Sequence, residues 1–433
     1  MAQFTKGTFL KTKCGEPVKV ISYIAGGGQG DVYLVEYRKQ KKALKWYKNV
    51  GNDPKSFYKN LKQNIQEGAP APCFLWPEAL VTTETDRGFG YIMDLRPAEF
   101  QELSKFILAA NGAVFPSFKA AVEACLKIVA AFRILHNKGY SYQDINDGNF
   151  FINPRTAEVL ICDNDNVAPD GFNTGVIGKP RYMAPEIVVG KGNVLPNKGS
   201  DRFSLAIILF ILLCNDHPLE GKRCVELPCM TLKNAEKLYG SDAVFIYDDN
   251  DASNRPVKNI HRNVIERWEY MPTYMKDAFK QAFSKEAMHC PEKRLRELDW
   301  LKVLTRFRSE IIKCECGNEI FIEDINKIVC EACGKRTQVS NVFELPEYSI
   351  PATKGTWIYR CQLGMCSATT ALDPIIHVVT KNGVWAWQNM SGDTIKVTTA
   401  SGVDKIVRPQ EVAPIKSGMV IYPFNNNVKI NIN

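Results

Sequence analysis

Tyr140-Ser-Tyr-Gln-Asp-Ile-Asn-Asp-Gly-Asn-Phe-Phe-Ile152 is the stretch on which the reading of this chain turns. Asp144 and Asn149 stand five residues apart in a polar loop held between apolar anchors. Just downstream, Val159-Leu-Ile-Cys-Asp163 delivers a second acid at the end of an apolar strand, followed by Asn164 and Asp165. Just upstream, Phe118 to Lys138 reads as a helix with Val122, Cys125, Ile128, Val129, Phe132 and Leu135 on one stripe. Gly139 is its stop signal. On residue types alone, a capped polar loop in some other α+β protein is the competing reading.

Further upstream, Val18 to about Tyr47 reads as three strands. Between the first two lies Ile24-Ala-Gly-Gly-Gly-Gln-Gly-Asp-Val-Tyr33, whose glycines 27, 28 and 30 let backbone amides approach a polyphosphate. An ordinary hairpin turn would look the same. Ala43-Leu44-Lys45 sets a lysine inside an apolar strand, a costly place for an ammonium without an anionic partner. Alternatively, Lys45 is one more cation on a hairpin that already carries Lys39, Lys41, Lys42 and Lys48. A helix is expected over Pro54 to Glu67, with Phe57, Leu61 and Ile65 on one face and Gly68 beyond its end. Downstream come Gly178-Lys-Pro-Arg-Tyr-Met-Ala-Pro-Glu186, Ser200-Asp-Arg-Phe-Ser-Leu205 and Pro291-Glu-Lys-Arg294. Ser200 to Cys214 is apolar nearly all round and reads as a buried helix, and Pro272 to Phe307 as an amphipathic helical region.

In this order and spacing, residues from about 18 to 300 resemble a protein kinase catalytic domain. The resemblance implies an α+β, bilobal kinase-like domain over 1–308, with an N-lobe of about 1–94 and a C-lobe of about 95–308. It implies ATP and Mg2+ (or Mn2+) as cofactors and a protein substrate. Gly26, Gly27, Gly28, Gln29 and Gly30 would cover the phosphates, and Lys45 would pair with the α/β-phosphates. The hinge Met93-Asp94-Leu95 would offer backbone groups to adenine, with Asp94 and Leu95 as its contacts. Asn149 and Asp163 would hold the metal, and Asp144 would accept the proton of the substrate hydroxyl. Glu186 and Arg294 would form a structural ion pair, and Asp201 would brace the catalytic loop through backbone amides. The implied function is a serine/threonine-type protein kinase. A pseudokinase scaffold is the alternative, and a small-molecule kinase ranks third.

Departures from the family pattern carry their own expectations. Ala25 replaces the first loop glycine, and the closest phosphate approach is expected at Gly27. Tyr142-Gln143 stands where His-Arg precedes the catalytic acid, which removes the usual partner of an activation-loop phosphate. Asn146 replaces a lysine and Lys179 a threonine, so Lys179 is expected to supply the catalytic cation from the other side. Asp165 adds a carboxylate that either joins the metal site or repels its neighbour. Gln63 falls where the acidic partner of Lys45 is expected, and Glu67 is nominated instead. The Gly-Gly-Gln-Gly loop, Phe74-Leu-Trp-Pro77 and Gln-Asp-Ile-Asn-Asp-Gly-Asn149 are similar to bacterial kinases of the tellurite-resistance-associated phosphorylation triad. That likeness implies a cognate protein phosphatase and a von Willebrand A-type protein as partners.

Composition then shifts. Cys314-Glu-Cys316-Gly and Cys330-Glu-Ala-Cys333-Gly flank a short apolar hairpin, the arrangement of a zinc ribbon with four thiolate ligands and no open position. A structural Zn2+ is therefore expected in a segment of 309–341. Glu319, Glu323 and Asp324 on that hairpin argue against nucleic-acid binding. Residues 342–433 show short strands (Thr356–Arg360, Ile375–Val379, Val384–Trp387) and a last strand within Asn425–Asn433, so a small all-β sandwich is expected. It is faintly similar to a forkhead-associated domain, but Gly364-Met365 lacks the phosphate-gripping arginine, which favours docking over phosphopeptide binding. The 221–262 insertion reads as either a docking surface or a longer helical connection.

The 55 basic against 47 acidic residues leave a net charge of +8, spread along the chain, which favours anionic partners only weakly. The longest apolar run, Leu205 to Cys214, is about half a membrane span. Met-Ala-Gln-Phe-Thr-Lys lacks the apolar core of a signal peptide. With 14 cysteines and no export signal, a disulfide framework is not expected and a cytoplasmic location is.

Overall fold

The strand Gln40–Tyr47, buried on both faces over its last five residues, organises the first half of the structure: Leu44 and Trp46 turn inward, while Ala43, Lys45 and Tyr47 face the other way. The chain is seen in a computed structural model that describes residues 3–50, 53–83, 88–107, 114–173, 175, 178–190, 193–322, 324–381, 383–424 and 428–433. Glu323 and the 425–427 part of the expected last strand lie outside the described residues. The chain divides into two compact units, 1–116 with 134–261 and 282–294, and 117–133 with 262–281 and 295–433. The boundaries expected near 309 and 342 both fall inside the second unit.

In the first unit, strands β1 (Phe9–Thr12), β2 (Pro17–Gly26), β3 (Gly30–Tyr37), β4 (Gln40–Tyr47), β5 (Ala79–Thr82) and β6 (Phe89–Asp94) form a closed barrel in the order β1-β2-β3-β4-β6-β5. The three strands expected between Val18 and Tyr47 are β2 to β4. Closure comes from a strand that the alternation pattern did not reveal, β1, which pairs Lys11 with Thr82 and Thr12 with Val81. Inside lie Val18, Val35, Leu44, Trp46 and Ile92; outside, Ala43, Tyr47, Tyr91 and Met93 meet Phe57 and Leu61 of helix α1 (Pro54–Glu67). Asp53 caps α1 by accepting from the Ser56 amide, and proline opens its first turn.

Beyond the barrel, Phe150–Ile152 and Val159–Ile161 form a hairpin in which Phe150 faces Ile161. That register sets Asn149, before the first strand, opposite Cys162, one residue short of Asp163; the Cys162 amide donates to the Asn149 carbonyl at 2.9 Å. The helix Lys198–Cys214 is buried almost throughout, as its all-round apolarity predicts, and a capping box of Asn197 and Ser200 starts it. The 221–262 insertion contains the short helices Lys222–Val225 and Leu232–Glu236, a π-helical turn over Lys237–Ser241 and a 3-10 turn at Ala252–Asn254.

In the second unit, helices Arg262–Tyr270 and Glu297–Glu310 precede two short hairpins, Ile311–Lys313 with Glu319–Phe321 and Ile328–Val329 with Arg336–Thr337. The remainder is all β. One six-stranded antiparallel sheet runs Ser349–Pro351, Val342–Glu344, Ile430–Ile432, Val420–Tyr422, Ile395–Thr398, Asp404–Val407. A four-stranded sheet runs Trp357–Tyr359, Pro374–Lys381, Val384–Asn389, Val412–Pro414. Trp387, Ile358, Ile376, Val397 and Ile421 share the core, which makes this a sandwich. Among the described residues no helix is long and apolar enough to cross a membrane.

The expected Glu186–Arg294 pair is present: Arg294 Nη2 lies 2.7 Å from Glu186 Oε2, and the same guanidinium donates to the Ala287 and Gly199 carbonyls at 2.8 Å. Arg294 is buried. Arg294→Met should leave Glu186 and the Ala287, Gly199 and Met288 carbonyls without that donor, lowering stability by about 3 kcal/mol. A fall in the urea unfolding midpoint measures it.

Candidate active site

Lys45 points out of the barrel toward α1 because period-two alternation leaves it no other face. Its ammonium meets a short turn, Asn164–Asn166, that follows the hairpin. Lys45 Nζ lies 2.9 and 3.2 Å from the two carboxylate oxygens of Asp165 and 3.3 Å from Asp163 Oδ1. Gln29, from the glycine loop, accepts from the same nitrogen at 3.3 Å. The Tyr47 and Tyr91 hydroxyls both donate to Asp165, at 2.5 and 3.4 Å. Burial works to deprotonate Lys45, but the charges of Asp165 and then Asp163 outweigh it and hold the ammonium above its ordinary value. Burial, reinforced by Asp165, likewise pushes both tyrosine hydroxyls well up.

Glu67 is therefore not the acidic partner of Lys45. It lies exposed at the end of α1 and accepts from Gln63 at 2.8 Å. The buried face of α1 instead carries Asn60 and Asn64, whose amides both donate to the Val167 carbonyl at 2.8 Å. Nor does Asp165 sit at the cleft surface as a metal ligand or an unpaired repeller: its side chain is fully buried. No spacing in the sequence singles it out. After Asp53, α1 holds no acid but Glu67, and because Glu67 falls on the exposed face the partner comes from the turn next to Asp163.

The loop before the hairpin is held from below. Asp201 accepts from the Tyr142 amide at 2.6 Å and the Gln143 amide at 3.0 Å, as expected, and lies 3.1 Å from His136 Nε2. Within the loop, Asn146 Nδ2 donates to Asp144 Oδ1 at 3.1 Å, and Asn149 Nδ2 donates to the Asp144 carbonyl at 2.8 Å. Lys179 Nζ is 2.9 Å from Asn146 Oδ1. The two exchanged positions thus meet in space. Burial, then the charge of Asp163, raises the Asp144 carboxyl to about 6. Gln143 donates its side-chain amide to the Phe172 carbonyl, so a neutral tether stands where a cation would face a phosphate.

The glycine loop closes as a turn through the Gly27 amide, which donates to the Gly30 carbonyl at 2.8 Å. A Cβ at Gly30 would lie 2.3 Å from the Trp46 carbonyl oxygen, and one at Gly26 would strike Tyr23 and Asp31. Gly27 and Gly28 face open space. The loop thus needs glycine at its two ends for packing, while the middle is where a ligand has room. Asp94 ends β6 with its side chain on Lys42 at 2.6 Å, and Leu95 is partly buried against the cluster of Ala43 and Met93.

In the second unit, the sulfurs of Cys314, Cys316, Cys330 and Cys333 all lie within 4.8 Å of one another. Cys314 is 3.7 Å from Cys333 and Cys316 is 3.6 Å from Cys330. A zinc tetrahedron with bonds of about 2.3 Å has edges of about 3.8 Å, so the four fit such an ion.

The pattern of the protein kinase domain family matches residues 90–314, just over half of the chain. The chain is 33% identical over 118 residues to the serine/threonine-protein kinase YPK3 of Saccharomyces cerevisiae, covering 24% of this chain and 21% of that protein. It is 30% identical over 128 residues to the serine/threonine-protein kinase pim-2 of Danio rerio, covering 29% and 39%. The match thus spans far less than two thirds of either relative. Among solved structures, the Mycobacterium tuberculosis PknI kinase domain aligns at 14% identity and TM-score 0.46, over 70% of this chain and 98% of that one. Vaccinia related kinase 3 aligns at 16% identity and TM-score 0.42, over 55% and 76%.

Because the charge of Asp163 is one cause of the raised Asp144 carboxyl, Asp163→Asn should lower its titration midpoint below about 6. Burial is the larger cause and persists, so the midpoint should stay above the ordinary aspartate range. Carboxyl-carbon NMR titration of the two proteins checks this.

Proposed function

The chain belongs to the protein kinase family, and on that premise we propose an ATP- and magnesium-dependent serine/threonine-type protein kinase that transfers the γ-phosphoryl group to a protein hydroxyl. The observation that carries the proposal is the convergence of Asp144, Asn149 and Asp163 beside the Lys45 ammonium. The donor set fits a divalent cation. Asp163 keeps its side chain 40% exposed, and Asn149 commits its amide nitrogen to Asp144, leaving the amide oxygen as a ligand. Magnesium or manganese bound there with ATP would neutralise charge on the phosphate oxygens.

The chain's own residues then divide the work. Lys45, held protonated, would bind the α/β-phosphates, and the turn from Gly26 through Gln29 to Gly30 would cover them with backbone amides. Backbone groups of Asp94 and Leu95 would receive the adenine ring. Asp144 would take the proton of the substrate hydroxyl, with Asn146 fixing its carboxylate and Lys179 placing a cation at the same point. That contact favours an active enzyme over the pseudokinase alternative, since Asn146 alone would have left the cleft without its cation. The Gln143 tether supports activity that does not wait for an activation-loop phosphate.

The proposal extends to the rest of the chain. We assign residues 1–308 to the kinase domain, 309–341 to a zinc ribbon and 342–433 to a sandwich that docks partners. The ribbon would hold a structural Zn2+ on Cys314, Cys316, Cys330 and Cys333, since four thiolates leave no open position. The narrower likeness to the tellurite-associated triad supports a cytoplasmic bacterial system with a phosphatase and a von Willebrand A-type protein. Gly364 ends a 3-10 turn in the left-handed region, and Arg360 points to Asp373 at 3.9 Å, so phosphopeptide binding has less support than docking.

Asp144→Asn should reduce transfer from labelled ATP to a generic protein substrate on the order of 10²–10⁴-fold. Transfer unchanged in that variant would overturn the catalytic reading. The rate should also fall below pH 6, because Asp144 accepts a proton only when ionised and its carboxyl titrates at about 6. Between pH 7 and pH 5 the ionised fraction drops about tenfold, which a pH–rate profile measures. Plasma emission should find one zinc per chain in the parent and none in Cys316→Ser/Cys330→Ser.

A further inference from the structure

The acid that orients Lys45 does not come from the helix packed against it. We propose that Asp165 is the positioning residue for Lys45, and that the polar side chains of α1 act on the lysine through the turn that carries Asp165. This rests on the kinase reading above and deepens it.

Both carboxylate oxygens of Asp165 are committed inside the protein, Oδ1 to Lys45 and Tyr91, and Oδ2 to Lys45 and Tyr47. Its side chain has no exposure, so it is closed to a metal or a nucleotide. Behind it, Asn164 donates its amide to the Leu75 and Ile161 carbonyls at 2.8 Å, fixing the turn against the hairpin. Asn60 and Asn64 grip the same turn one residue beyond, at the Val167 carbonyl. The helix therefore holds the backbone of the turn and leaves charge neutralisation to Asp165. On its other side Lys45 meets Asp163 and Gln29, which border the cleft. An ammonium anchored from behind by a fixed carboxylate can point only one way.

This arrangement joins two functions that separate elements would otherwise carry. Asp163 and Asp165 sit two residues apart on one turn, so the lysine and the metal-binding acid are placed by the same piece of backbone. Moving the outer end of α1, where Gln63 donates to Glu67 on the exposed face, leaves the pair intact. Moving the turn disturbs both ends of the cleft together.

The test uses the full chain acylated at pH 9 with a small amine-reactive acetyl donor, reading Lys45 by peptide mass mapping against exposed Lys55. Parent Lys45, buried and clamped between Asp165 and Asp163, should label slowly, and Asp165→Asn, which releases that clamp, should label it tenfold faster or more. In the same variant, phosphate transfer should fall about a hundredfold. Glu67→Gln should stay within about twofold of the parent in both readings. Asn60→Ala/Asn64→Ala keeps every charge and serves should Asp165→Asn not fold; it should raise Lys45 labelling severalfold. Lys45 labelling at the parent rate in Asp165→Asn, or a Glu67→Gln effect equal to it, overturns the proposal, as does parent behaviour in the double asparagine variant. Should the parent itself transfer no phosphate, the kinase reading falls, while the acylation result still decides the role of Asp165.

Discussion

A protonated amine held away from water constrains everything around it. Desolvating such a pair costs several kcal/mol per ion, which is offset only when the partner is close and both sides are fully hydrogen-bonded. Lys45 meets that condition through Asp165, and Asp165 through Tyr47 and Tyr91. The barrel, α1 and the Phe150–Ile161 hairpin must then all hold their register to within a hydrogen bond, since each supplies or grips part of this cluster. The groups lining the cleft, Asp144, Asn149 and Asp163, inherit their geometry from that buried centre.

Much of this was legible in the amino-acid order, because the features involved are local. α1 runs over the residues its proline, apolar spacing and terminal glycine indicate. The helix expected from Phe118 ends at Asn137, two residues before its stop signal Gly139. The Asn149–Asp163 approach follows from two short apolar strands joined as a hairpin. What escaped depends on pairing across long separations. The closing strand β1 is only four residues long, and its partner lies some seventy residues on. The Lys45–Asp165 contact spans 120 residues, and nothing in the spacing of either segment chooses between Asp165 and Glu67. That choice was made by burial: Gln63 and Glu67 fall on the wet side of α1, and of its polar side chains only Asn60 and Asn64 are buried.

Two substitutions that look like losses one at a time make sense together. Asn146 lacks a charge and Lys179 lacks a hydroxyl, yet they bond to each other next to Asp144. A cation reaching in from a neighbouring segment replaces one built into the loop. Gln143 follows a different logic, trading a charge that would await a modification for a hydrogen bond made at once to the Phe172 carbonyl. The first exchange relocates a cation, and the second sets a neutral fixed contact.

The strand order of the sandwich has a consequence for how the molecule is made. Ile430–Ile432 lies in the interior of the six-stranded sheet, between Val342–Glu344 and Val420–Tyr422. A ribosome releases Val342 nearly ninety residues before that central strand. Until it emerges, the nascent chain carries two unpaired strand edges with free amides and carbonyls, the surface most prone to pairing with other chains. The sandwich is therefore sealed only once residues 430–432 have emerged, and until then its open edges are exposed to aggregation.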